Sequence, residues 1–308
     1  MLVLLCSAAA ARAETPVAQL PLPCDSDAEM LSPNGAAVAA LCADGTLQLL
    51  AVPSGERLQS FPKEPRRTAI AFSDDGVRFA VGYWSGKVRV VPTSGEGGSR
   101  EWQASDRRIE TVHFLADGGE LLVVPVGRDT QVWRLASEPQ LVASLPSGFA
   151  EATALALSAD SKLLVAATGD TEVRFYDTQG WKQVRSFRGL LLESFAAAFT
   201  HDQAQLLVGG ADKQITLIDT ATGTLVRALP RQADVVVQLL PLDDGDSVVA
   251  KYVDPDDKRP PHWMLWSLRT GTAQPLVPSK QPTAAGLVNG ELWLASSAQG
   301  RTLVIWKQ

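Results

Sequence analysis

Leu31-Ser-Pro-Asn-Gly35, Phe72-Ser-Asp-Asp-Gly76, Phe114-Leu-Ala-Asp-Gly118 and Leu157-Ser-Ala-Asp-Ser161 are four renderings of one phrase. An apolar residue closes a short run, and a turn rich in Ser, Asp and Gly follows. Gly takes positive φ without steric cost, and Asp and Ser side chains bond to nearby backbone, so the phrase is a tight turn with a mechanism. It continues as Phe199-Thr-His-Asp-Gln203, Leu240-Pro-Leu-Asp-Asp-Gly245 and Leu287-Val-Asn-Gly290. The apolar residues stand 41, 42, 43, 42, 41 and 47 positions apart, which makes the chain a sevenfold repeat.

A second mark agrees with the first. Alternating strands such as Glu172-Val-Arg-Phe-Tyr176 and Leu303-Val-Ile-Trp306 end at Leu50, Val91, Trp133, Tyr176, Ile218, Trp266 and Trp306. Their spacings are 41, 42, 43, 42, 48 and 40. The long steps have visible causes: an insert, Asp254-Pro-Asp-Asp-Lys-Arg-Pro-Pro261, in unit six, and a Pro-rich stretch at 275–282 before unit seven. Each unit reads strand, turn, strand, Asp/Gly turn, strand, loop, strand. Unit four predicts strands at Thr153–Leu157, Leu163–Ala167, Val173–Asp177 and Val184–Phe187. Period-two alternation favours β throughout, and no segment carries a convincing helical period. Four antiparallel strands per ~42 residues, repeated seven times, is the arithmetic of an all-β, seven-bladed propeller.

The chain resembles the WD-repeat β-propeller family over residues 17–308. The resemblance rests on repeat length, on the turn phrases, on Asp44, Asp129, Asp170 and Asp212 in the second turn, and on the aromatic strand ends Trp133, Tyr176, Trp266 and Trp306. Asp follows the strand end only at Asp177 and Asp219, and no Gly-His or Trp-Asp pair occurs. The repeats are degenerate, so the family's Asp-His networks are not carried over. The resemblance implies a scaffold for protein partners, bound on the face formed by the inter-blade loops.

Unit seven ends at Trp306 without a fourth strand. Pro16–Pro23 reads like the fourth strands elsewhere, for example Gln140-Leu-Val-Ala-Ser-Leu-Pro146. The expectation is that residues 16–22 complete the last blade, which removes an open edge.

Leu2–Ala11 is an apolar run too short to span a bilayer, and Ala11-Arg12-Ala13 follows it as a small-x-small cleavage pattern. Residues 1–13 are therefore read as a signal peptide, residues 14–308 as the propeller, and the product as periplasmic or secreted. No later segment is apolar enough to span a membrane. In an exported chain, Cys24 and Cys42 at matching ends of the first hairpin favour a disulfide. Pairing Leu31 with Ala36 sets Cys24 opposite residue 43, one position from Cys42; a one-residue bulge would bring the sulfurs within reach, and two unpaired cysteines are the alternative.

At 308 residues, 45% hydrophobic and 20% charged, the chain has material for a large core. A net charge of −6 argues against a nucleic-acid partner. Three His and three Cys leave little for a zinc site, and the sequence implies no cofactor. There is no nucleophile elbow, CxxC or HExxH. His113 takes a position that holds Ala in sibling units, as expected of a structural histidine.

Six residues before the end of each first strand stand Asp25, Arg66, Arg108, Glu151, Glu193, Asp234 and Gln281. These positions fall where the chain drops from an outer strand to the channel. They read either as inter-blade ion pairs or as a polar rim for a charged partner. Apolar residues on the same loops, Tyr83, Trp84, Phe149, Leu190 and Leu191, read as a binding patch, although the leucines also fit an extension into the core. A protein-binding scaffold without catalysis is the favoured function. A periplasmic enzyme or small-ligand binder using the central channel, lactonase-like or a dehydrogenase subunit, is the alternative.

Overall fold

The computed structural model describes residues 16–307 apart from 62, 64–68, 116–117, 146–151, 277–281 and 299–301. The proposed leader lies outside the described residues. Strands β1 to β28 form seven four-stranded antiparallel sheets, and no helix occurs among the described residues. Blade 1 is typical: β2 (Ser26–Leu31), β3 (Ala37–Cys42), β4 (Leu47–Ala51) and β5 (Arg57–Phe61) run from the inner edge outward. Blades 2 to 6 follow in the same order.

Side-chain chemistry explains the repeated turn. Ser73 Oγ donates to Asp75 and accepts the Arg78 amide at 3.0 Å, while Asp75 Oδ1 accepts the Val77 amide at 3.0 Å. Ser158 and Asp160 repeat this around Leu163 and Lys162, and Thr200 and Asp202 around Gln205 and Ala204. The hydroxyl and carboxylate satisfy amides that the chain reversal takes out of the ladder. In the second turn, Asp44 accepts the Thr46 amide and Asp170 the Glu172 amide.

The ring closes as the strand count requires. β1 (Ala18–Pro21) pairs with β28 (Thr302–Lys307), Ala18 facing Ile305 and Leu20 facing Leu303. Together with β26 (Ala284–Val288) and β27 (Glu291–Ala298) it makes blade 7. Ala18, Leu20 and Leu22 are buried against Leu303 and Ile305, and the same cluster holds Leu31, Val38 and Leu50 of blade 1. The first strand thus glues the last blade to the first.

The first hairpin differs from the expected register. Leu31 pairs with Val38, not Ala36. The loop is four residues, Pro33 to Ala36, with Gly35 at φ 70° and the Ala36 amide held by Asn34 Oδ1 at 3.0 Å. A bulge at Asp27 then sets Ser26 opposite Cys42. Cys24 crosses the end of β3, with the Ala43 amide bonded to the Asp25 carbonyl at 2.8 Å. Cys24 and Cys42 are disulfide-bonded, their Cα atoms 5.6 Å apart.

The core lies between blades. Phe61 of blade 1 meets Phe79 of blade 2 at 5.7 Å, and Phe72 meets Phe79 at 4.7 Å, amid buried Leu47, Leu49 and Val81. One face of the ring is clasped turn to turn by the hairpins that leave the inner strands. The Asn289 amide donates to the Pro33 carbonyl at 2.9 Å, and Asn34 Nδ2 to the Asp75 carbonyl at 3.0 Å. Arg78 reaches the Gly118 carbonyl, the Ala159 amide reaches Gln203 Oε1 at 2.9 Å, and His201 Nδ1 lies 3.3 Å from Asp243. We call this the turn face. The opposite, crossing face carries the outer-to-inner connections and the middle hairpin turns.

Candidate partner-binding face

Besides the Asp27 bulge of β2, four more inner strands carry a bulge at their crossing-face end. The register slips at Glu110 in β10 (Ile109–Leu115), Thr153 in β14 (Ala152–Leu157), Phe195 in β18 (Ser194–Phe199) and Val237 in β22 (Val235–Pro241). A bulge re-aims a side chain that would otherwise pack between blades. Phe195 is 37% exposed. A cavity of about 300 Å³ in the channel is lined by Thr111, Thr153, Leu155, Phe195, Val237 and His113. Desolvation holds the His113 pKa below the ordinary imidazole value, partly opposed by the charge of Asp74. Burial in turn raises the Asp74 carboxyl above its usual range, partly opposed by His113.

The leucine run divides. Leu190 is buried with Phe187, Val173 and Phe199, which extends the core. Leu191 and Leu192 are 63% and 51% exposed on the crossing. In the middle turn of blade 2, Tyr83 is buried with Phe79 and Phe61 and presents no surface, whereas Trp84 is 39% exposed. Arg108 lies over the Trp84 ring with Cζ 5.0 Å from the centroid, and its Nη2 is 2.9 Å from Glu110. Stacking on an indole leaves the guanidinium edge free for hydrogen bonds, the arrangement in which arginine reads planar partners.

The charged rim is only partly a rim. Asp234, 1% exposed, is bonded to Arg259 from the blade-six insert, and Arg259 Nε also bonds Asp254 at 3.0 Å. Asp234 therefore pins the insert down and offers no carboxylate to a partner. Glu193 is exposed, its carbonyl accepting the Ala211 amide. Among the described residues of the crossing face, ion pairs join Arg108 with Glu110, Arg128 with Asp106, and Arg259 with Asp234, each beside its own blade. Arg66, Phe149, Glu151 and Gln281 lie outside the described residues.

Blade 4 holds a buried charge cluster. Arg174 is bonded to Asp170 and Glu172, and Arg188 Nε lies 3.2 Å from Glu172. Burial pushes the Glu172 carboxyl up, but bonds from Ser186, Arg188 and Arg174 outweigh it and leave the pKa lowered. Every charge here has a partner, which marks the cluster as structural.

The three histidines do not converge: His113 lines the channel, His201 lies on the turn face, and His262 stacks on Tyr252 beside the insert. Among the described residues no group of three His, Cys, Asp or Glu is arranged to hold a metal ion.

Sequence reading missed Phe195, Val237 and Glu110. Their spacing was the available signal, because Glu110, Thr153, Phe195 and Val237 recur at 43, 42 and 42 residues. Alternation alone hides them, since a bulge breaks it.

No protein-family model matches the chain. Protein groucho of Drosophila melanogaster is 28% identical over 156 residues, which are 45% of this chain and 21% of that protein. The chain thus matches only about a fifth of that relative's length. Among solved structures, a chain of the mitotic checkpoint complex superposes with a TM-score of 0.75 at 18% identity, covering 96% of this chain and 92% of that one. The β-propeller domain of Myceliophteria thermophila Cps50 (Swd1) gives 0.74 at 13% identity, covering 94% and 99%. These likenesses fit a WD-repeat-type β-propeller.

Proposed function

We propose that the chain is an exported, non-catalytic interaction scaffold that takes a protein partner on the crossing face, at the channel mouth. The observation that carries this is the exposure of Trp84 in a middle turn, of Leu191 and Leu192 on a crossing, and of Phe195 at a bulge, all on that face. Large apolar side chains held open on loops of a rigid frame are what a partner buries, and aromatic and arginine anchors dominate such contacts. Arg108 on Trp84 supplies the polar element. The turn face is less suited, because its hairpins are occupied with one another. The chain's similarity to a component of the mitotic checkpoint complex supports a role in assembly.

Export is part of the proposal. The apolar run before Ala11-Arg12-Ala13 supports it, and so does the disulfide, since such bonds persist in oxidising compartments. The periplasm or the extracellular space is the expected location.

The test is affinity capture from the native envelope fraction with the purified propeller and with a Leu191→Asp/Leu192→Asp variant. Both leucines are exposed, so the melting temperature should stay unchanged while the captured partner is lost. Equal capture by the two proteins would refute the proposed face.

A further inference from the structure

Two Asn-Gly pairs occupy inner hairpin turns of adjacent blades, Asn34-Gly35 in blade 1 and Asn289-Gly290 in blade 7. We infer that Asn289 is a site of spontaneous deamidation in the folded protein and that Asn34 is protected. The inference is independent of the partner-binding reading.

The reaction needs no enzyme. The amide nitrogen of the following glycine loses its proton to a solvent base and attacks the asparagine Cγ. A carbon–nitrogen bond forms, the Cγ–Nδ2 bond breaks, and ammonia leaves with the proton, giving a five-membered imide. Water then opens the ring at either carbonyl, producing aspartate or, with the main chain rerouted through the side chain, isoaspartate. Glycine favours the attack because no Cβ shields its nitrogen. The structure must supply a carboxamide free to turn and an amide N–H open to water.

The two turns differ in both respects. Asn34 Oδ1 accepts from Ser32 Oγ at 2.8 Å and from the Ala36 amide at 3.0 Å, and Nδ2 donates to the Asp75 carbonyl at 3.0 Å. The Gly35 amide itself donates to the Ser32 carbonyl at 2.9 Å. Carboxamide and nucleophile are both engaged. Asn289 and Gly290 are exposed, at φ 51° and 80°, the geometry of a two-residue hairpin turn between Val288 and Glu291. Among the described residues nothing bonds the Asn289 side chain or accepts the Gly290 amide.

The site sits at the ring's seam. The Asn289 amide is the donor that holds blade 7 to Pro33 of blade 1. Gly290 lies so close to Asp243 that a Cβ there would stand 2.5 Å from its Oδ2. Deamidation sets a new carboxylate on the residue before the Gly290–Asp243 contact, and the iso form lengthens the main chain at the inter-blade bond.

The experiment is peptide mapping by mass spectrometry of the full chain, incubated folded at neutral to mildly alkaline pH and, in parallel, unfolded in urea. An isoaspartate methyltransferase label identifies the rerouted product. In urea both asparagines should convert at similar rates. In the folded protein Asn289 should convert and Asn34 should lag by on the order of tenfold or more, the factor that opening one ordinary hydrogen bond supplies. Ser32→Ala, which removes one bond to Asn34, should narrow the gap in a protein that still folds. Equal rates in the folded state, faster conversion of Asn34, or an inert Asn289 would each overturn the inference.

Discussion

Removing the Cys24–Cys42 bond tests the account of the seam most directly. The disulfide closes a loop of sequence separation 18 that contains the whole first hairpin. In the chain-entropy description, such a cross-link restricts the unfolded ensemble enough to stabilise the fold by about 3 kcal/mol. Spread over a chain of this length, whose unfolding entropy scales with residue number, that becomes a fall in Tm of about 5 °C. The assay is calorimetry on the oxidised protein, on the reduced protein, and on a Cys24→Ser/Cys42→Ala variant measured with and without reductant. Reduced wild type and double variant should melt at nearly the same temperature, and reductant should not move the variant. A fall within about 1 °C for both would mean that the cross-link constrains nothing the seam does not already hold, and the reasoning would fail. A variant much less stable than the reduced protein would instead point to packing around the buried Cys42.

Three further outcomes follow from particular contacts. Gly209→Ala should cost about 1–3 kcal/mol, because its Cβ would stand 2.5 Å from Val236 Cγ1 across the blade 5–6 boundary; Val236→Ala should relieve most of it in urea titrations. Arg174→Met should destabilise by about 1.5–3 kcal/mol, since buried Glu172 loses its nearest cation and keeps only Arg188, and a Glu172→Gln/Arg174→Met pair should recover part of that loss. His113 has a depressed pKa, so below the ordinary imidazole value the unfolded chain binds more protons than the fold. Stability should therefore decline as pH falls from about 7 towards 5. His113→Gln should flatten that decline in denaturant midpoints, whereas an unchanged slope would exonerate the histidine.

The sevenfold repeat, the four-strand blade and the closing strand were all legible because each rests on local chemistry that recurs. Ser73 with Asp75 and Thr200 with Asp202 make the same bonds in their turns, so a turn recognised once is recognised throughout. The missing fourth strand after Trp306 was a count, and counts survive sequence drift. The candidate site was harder to read. Whether Leu190 or Leu191 faces solvent depends on one residue of phase at a crossing, where no alternation fixes the phase. Asp234 looked like its siblings in sequence, and only the fold shows that Arg259, 25 residues on, closes over it. Likewise the cysteine register turned on a single bulged residue, whose need the pairing arithmetic showed but whose place, Asp27, it did not.

The pairing of β1 with β28 also sets an order of events during biosynthesis. β1 has to wait, unpaired, while more than 250 further residues are made, because its partner is Leu303 to Ile305. Contacts so distant along the chain are slow to form, and until they do, Ala18, Leu20 and Leu22 stay open to water or to a chaperone. A chain built this way stays open at its seam until both strands of this pair are present together, and only then does its final latch engage.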